Sequence, residues 1–109
     1  MSFKLYDTSK GIGMLIGYAR TSTIEQQAGF DAQQRDLEGA GCEKVFKEQV
    51  SSVAQRDQLE AVLEFVRTGD TLVVTKLDRL ARSTADLLKI EDQLQTKGAA
   101  LKVLDLDLD

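Results

Sequence analysis

The sequence predicts an α/β domain of three layers, a mainly parallel sheet of about four or five strands with helices on both faces. Three observations lead there. Short apolar runs alternate with longer segments of helical period, in the order strand, helix, strand, helix, strand, helix, strand. That alternation implies βαβ units and parallel strands. Glycines punctuate the segments at Gly39, Gly41, Gly69 and Gly98, whereas proline is absent. The 109 residues, 42% apolar and 29% charged, suit one ordinary core and argue against disorder.

Each element has its own warrant. Residues 1–13 are polar and read as an N-terminal extension, leaving 14–109 as the domain. Met14 to Ala19 reads as a buried strand. Glu25 to Ala40 reads as a polar helix with Phe30 and Leu37 on one face, stopped by Gly39 and Gly41. Lys44 to Gln49 is a short second strand. Arg56 to Arg67 is a helix, because Leu59, Val62, Leu63 and Val66 recur at helical spacing. Gly69-Asp70 turns into a β-branched strand, Thr71 to Thr75. Ser83 or Thr84 caps a helix with Asp86 in its first turn, and this helix ends near Gly98. Ala100 to Leu104 is the fourth strand.

Composition narrows the chemistry. With no histidine, a Ser-His-Asp triad, a histidine base and histidine-bound metals are all excluded. Cys42 is the one cysteine, so neither an internal disulfide nor a thiolate zinc site can form. No apolar run nears the roughly 18 residues of a membrane span, and the first ten residues lack a secretory pattern. A cytoplasmic protein is the simplest reading. The net charge of −4 is unusual for a self-sufficient DNA-binding domain, which is generally basic.

In open parallel sheets, ligands bind beyond the carboxyl ends of the strands, and three polar segments fall there. The first is Tyr18-Ala19-Arg20-Thr21-Ser22-Thr23, followed by Gln26. Ser22 fits a helix cap ahead of Glu25 and Gln26. It also fits a nucleophile, whose activation would come from arginines, a carboxylate or the substrate phosphate. The second is Lys76-Leu77-Asp78-Arg79-Leu80-Ala81-Arg82, three cations around one acid. It reads equally as a solvated basic loop anchored by leucines or as a phosphate clamp, since arginines make forked, permanently charged contacts to phosphate oxygens. The third, Ser51-Ser52-Val53-Ala54-Gln55-Arg56, is a plain connection or a loop that brings Arg56 to the same edge. Together they place one hydroxyl, the arginines Arg20, Arg56, Arg79 and Arg82, and Asp78 at one end of the sheet, a set suited to metal-free phosphoryl transfer. Asp105 reads as the end of the last strand, and Asp107 and Asp109 as a lead into further chain, rather than the three as a cation site.

The first and second segments, in this order and with Arg56 between them, resemble the active-site motifs of the serine site-specific recombinases, the resolvase/invertase family. Ser83-Thr84 continues the second motif, and the resemblance covers Met14 to Asp109. It implies a resolvase-like catalytic domain that cuts and rejoins DNA. Ser22 would attack the scissile phosphate and become joined to the 5′ end, releasing a 3′-OH. Arg20, Arg79 and Arg82 would hold the phosphate. Asp78 would orient arginines or assist proton transfer. Arg56 would be a further phosphate ligand, with Tyr18, Gln26 and Ser51 in support. Neither a metal, ATP nor any other cofactor is implied. The partners are DNA and further copies of the protein, as a dimer and a synaptic tetramer. Ser51-Ser52 departs from the family's usual Ser-Gly, and the Ser51–Arg56 interval is one residue short. The chain reads as truncated before the family's interface helix and DNA-binding domain, so alone it is expected to bind DNA weakly and recombine nothing. A different reading is a non-catalytic, recombinase-like assembly or regulatory domain. Another is a phosphate-binding module of flavodoxin type, which the lack of a glycine-rich phosphate loop disfavours.

Overall fold

The computed structural model describes residues 13–21, 27–49 and 56–105. The strands are β1 (Leu15–Thr21), β2 (Lys44–Gln49), β3 (Thr71–Val74) and β4 (Ala100–Val103), and the helices are α1 (Gln27–Gly39), α2 (Asp57–Phe65) and α3 (Thr84–Lys97). A short 3-10 turn, Leu77–Arg79, follows β3. The four strands form one sheet in the order β2-β1-β3-β4, and every pairing is parallel. The predicted α/β class and parallel sheet are therefore present.

Side chains alternate across the pleat, and this sorts the core into two layers. Ile16 and Tyr18 of β1 and Leu72 and Val74 of β3 pack with Leu59 and Val62 of α2 and Ile90 and Leu94 of α3. Ala19 and Val73 face the opposite way, onto Leu37 of α1. Gly17 shares that second face. A Cβ there would stand 3.0 Å from Leu37 Cδ1 and 3.3 Å from Cys42 Sγ, so glycine lets α1 lie close against β1.

The element ends are set by tertiary partners. β1 runs two residues past the predicted Ala19, because β2 pairs with it as far as Thr21↔Gln49. Arg20 thus belongs to the strand, not to the loop after it. α2 stops at Phe65 rather than Arg67: Val66 is already extended, and Lys97 at the end of α3 takes over the last carbonyls. Its Nζ donates to Leu63 O at 2.6 Å, Glu64 O at 2.9 Å and Val66 O at 3.2 Å. A cation at a helix C-terminus also complements the dipole. Lys97→Met is expected to destabilise the chain by about 1–3 kcal/mol, since the acceptors lose a charged donor. A urea melt should show a lower midpoint at unchanged slope. α3 itself ends at Gly98, whose left-handed φ of 81° lets its N–H reach back to Gln95 O and Leu94 O.

No helix among the described residues is long and apolar enough to cross a membrane.

Candidate active site

The strand order places a topological switch point between β1 and β3, because the chain leaves β1 for β2 on one side and later returns to β3 on the other. Crevices form at the carboxyl ends of such strands. Here β1–β3 pairing stops at Gly17↔Val73, whereas β1 continues to Thr21. Beyond that point the Arg20 backbone bonds to a side chain: the carboxamide of buried Gln33, from α1, accepts from Arg20 N–H at 3.1 Å and donates to Arg20 C=O at 3.0 Å. One primary amide thus satisfies a donor and an acceptor, as a neighbouring strand would.

Into this gap the segment after β3 folds back. Leu80 is fully buried in the core beside Tyr18 and Val74, whereas Leu77 is 41% exposed. Only one of the two leucines therefore anchors the 3-10 turn. The anchored turn presents two carbonyls to Arg20. Arg20 Nε donates to Arg79 O at 3.2 Å, and Arg20 Nη2 donates to Asp78 O. Arg79 Nη1 in turn donates to Arg20 O at 3.3 Å. Two guanidinium-bearing side chains thus interlock through each other's backbone oxygens, which fixes the orientation of both. A cleft of about 700 Å³ opens beside them, between α1 and the ends of β3 and β4, with Gln33, Thr75, Lys76, Arg79 and Asp105 in its wall.

Arg56 precedes α2 and reaches across to the start of α3. Its Nη1 donates to Leu80 O and its Nη2 to Asp86 Oδ1, each at 3.0 Å. The two charged side chains are only 14% and 17% exposed. The Arg56 hydrogen bond holds the Asp86 carboxyl below its ordinary value, against the opposing effect of burial. Ser83 caps α3 by accepting Asp86 N–H at 3.1 Å. Of the two candidate caps in the sequence, Ser83 and Thr84, the cap is Ser83.

Glu48 is a participant that the sequence did not single out. It is buried at the end of β2, where Oε2 accepts from the Tyr18 hydroxyl at 2.5 Å and Oε1 from Gln58 N–H at 2.7 Å. The second bond caps α2 from a distance, since Arg56 at the cap position offers no side-chain acceptor. Burial, and then the adjoining carboxylate, push the Tyr18 phenol well above its ordinary range, so it remains a protonated donor. The available signal was the alternation of β2, which puts Glu48 on the same face as Phe46 rather than on a solvent face.

Ser22, Gln26 and Ser51 lie outside the described residues, as do residues 1–12, Asp107 and Asp109. Ser22 follows Thr21, the last residue of β1. Of the others, Arg20 and Arg79 come together, and Arg56 sits behind them on Leu80. Arg82 is exposed, and its backbone N–H donates to Asp86 Oδ2 at 3.2 Å. Asp78 is exposed too, and it is its carbonyl, not its carboxylate, that accepts from Arg20. Lys76 lies 4.0 Å from Asp105 in an exposed ion pair.

Known proteins resemble this chain in sequence and fold. The family described as Resolvase, N terminal domain, matches residues 15–109. An integrase-like protein, y4lS, of Sinorhizobium fredii is 49% identical over 88 residues, which cover 79% of this chain and 47% of that protein. A DNA-invertase of Escherichia phage P1 is 43% identical over 97 residues, 88% of this chain and 51% of its own. The chain spans about half the length of these curated relatives. Among solved structures, the C-terminal catalytic domain of ISC1926 TnpA, an IS607-like serine recombinase, superposes with a TM-score of 0.76 at 25% identity, covering 90% of this chain and 71% of that one. The family match spans both polar segments and the sheet that carries them, and the chain belongs to the resolvase N-terminal domain family of serine recombinases.

Proposed function

We propose that this chain is the catalytic domain of a site-specific DNA recombinase that cuts and rejoins strands through a covalent phosphoserine at Ser22. The observation that carries the reading is the interlock of Arg20 and Arg79 at the switch point, two residues upstream of Ser22 in the case of Arg20. A phosphodiester under attack gains negative charge on its non-bridging oxygens. Preorganised cations stabilise that charge with little reorganisation, because their orientation is fixed in advance by the fold. Arginine suits the task, being charged at every relevant pH and able to bond two oxygens at once.

In the step proposed, the Ser22 oxygen forms a bond to phosphorus as the bond from phosphorus to the 3′ oxygen breaks. The serine proton is lost and the departing oxygen is protonated, leaving a 3′-OH and a 5′-phosphoserine. Rejoining is the same exchange in reverse. One phosphoester replaces another, so the step needs no ATP, and the arginines supply the charge that a metal would otherwise provide. DNA is the substrate, and copies of the protein assembled on it would bring two sites together.

The experiment uses the full-length protein and a nicked DNA substrate from which the cut end diffuses away. A protein–DNA adduct stable to denaturation should accumulate, and Ser22→Ala should abolish it. An adduct that persists in Ser22→Ala would remove Ser22 from this role. DNA binding with no adduct under any condition that brings two sites together would favour a non-catalytic domain.

A further inference from the structure

The geometry points to Asp86 as a positioning residue that sets Arg56 and Arg82 relative to each other for the phosphate. This inference rests on the phosphoserine reading above. A single carboxylate touches both arginine-bearing segments: Oδ1 accepts the Arg56 guanidinium at 3.0 Å, and Oδ2 accepts the Arg82 backbone N–H at 3.2 Å. Its own backbone is pinned by the Ser83 cap at 3.1 Å. Asp86 therefore stands at a fixed point of α3 and ties to it two segments that are 26 positions apart in sequence. Arg56 is held at a second point by Leu80 O, one residue beyond Arg79. A guanidinium has five N–H donors, and these bonds use two of them. The rest of the group is oriented by the same contacts, and on the phosphoserine reading its remaining donors are those left for the phosphate.

A capping role and a positioning role separate on one substitution. Serine followed three residues later by glutamate is a favoured helix start, so Asp86→Glu preserves the cap while moving the carboxylate one methylene along. Should Asp86 serve α3 alone, this variant keeps both stability and cleavage. For a residue that places Arg56, Asp86→Glu should melt within about 2 °C of the parent, yet form the DNA adduct at least about 10-fold more slowly, because a displacement near 1 Å can cost roughly 10²-fold. Asp86→Asn should also slow the adduct. In an Arg56→Ala background it should add clearly less than in the parent, because the part of its effect that passes through Arg56 is already lost and only its hold on the Arg82 N–H remains.

The measurements are single-turnover adduct formation by the full-length protein, its DNA affinity and its melting temperature. Adduct formation by Asp86→Glu at the parent rate would overturn the inference. So would an Asp86→Asn effect of equal size with and without Arg56. A parent protein that forms no adduct would instead remove the phosphoserine reading, and the inference with it.

Discussion

Replacing Arg20 by alanine is expected to slow strand cleavage by about 10²–10³-fold, the usual cost of losing one preorganised donor to a developing oxyanion. The fold should barely notice. The two acceptors that Arg20 leaves, Asp78 O and Arg79 O, belong to a turn whose first two residues are exposed, so water can replace the guanidinium. The turn is still anchored by Leu80, and the Arg20 backbone is still held by Gln33. Arg20→Lys should also be slow. An ammonium is a compact point charge and cannot occupy both carbonyls in the forked geometry that an arginine presents. Single-turnover cleavage beside a thermal melt checks this. A cleavage rate within threefold of the parent would contradict a phosphate-stabilising role for Arg20.

The largest effect on stability is expected at Leu80. It is fully buried and packs with Tyr18, Val74 and Ile90, although it sits inside a run of charged residues. Leu80→Ala should cost about 2–5 kcal/mol, the lost transfer energy plus the cavity left behind. That is a large share of the roughly 5–15 kcal/mol that holds an ordinary domain folded. The same residue carries the carbonyl that Arg56 grips, and it directly follows Arg79. Loss of packing should therefore loosen three arginines at once, and adduct formation should fall even at temperatures where the chain remains folded. Leu77→Ala is the control: at 41% exposure it should change stability by about 0.5 kcal/mol or less. Urea unfolding of both variants measures the difference. Equal effects at the two leucines would refute the anchoring of the turn through Leu80.

The order of elements was legible because periodicity reports burial directly. Leu59, Val62 and Leu63 recur at helical spacing within α2, while Val66 completes the pattern from the extended residue after it, and Leu72, Val73 and Val74 match a strand covered on both faces. Boundaries were less legible, since they depend on partners far away in the chain. β1 reaches Thr21 because β2 lies beside it, and α2 ends early because Lys97 arrives from α3. The site divides in the same way. Arginines at strand ends could be read from the motifs and from strand placement. The acceptors that orient them could not, because those of Arg20 are backbone carbonyls of another segment, which carry no sequence signature. The two acids were hidden differently. Asp86 looked like an ordinary first-turn helix acid, and Glu48 like one more charge in a strand that also holds Lys44 and Lys47. Tertiary contact alone shows that one grips Arg56 and the other joins Tyr18 to the start of α2.

The interlock of Arg20 and Arg79 also bears on how the chain comes to be folded. The contact joins residues 59 positions apart, whereas Tyr18 and Glu48 are separated by 30. During synthesis the β1-α1-β2 half emerges first and can make its own parallel pairing and its Tyr18–Glu48 bond. At that stage Arg20 has none of its carbonyl acceptors, and one side of β1 has no partner strand. Closing the longer loop costs additional chain entropy before any contact rewards it. Arg20 and Arg79 are thus set against each other only once β3 has docked and Leu80 is buried, and a nascent chain that ends before β3 carries Arg20 without the frame that orients it.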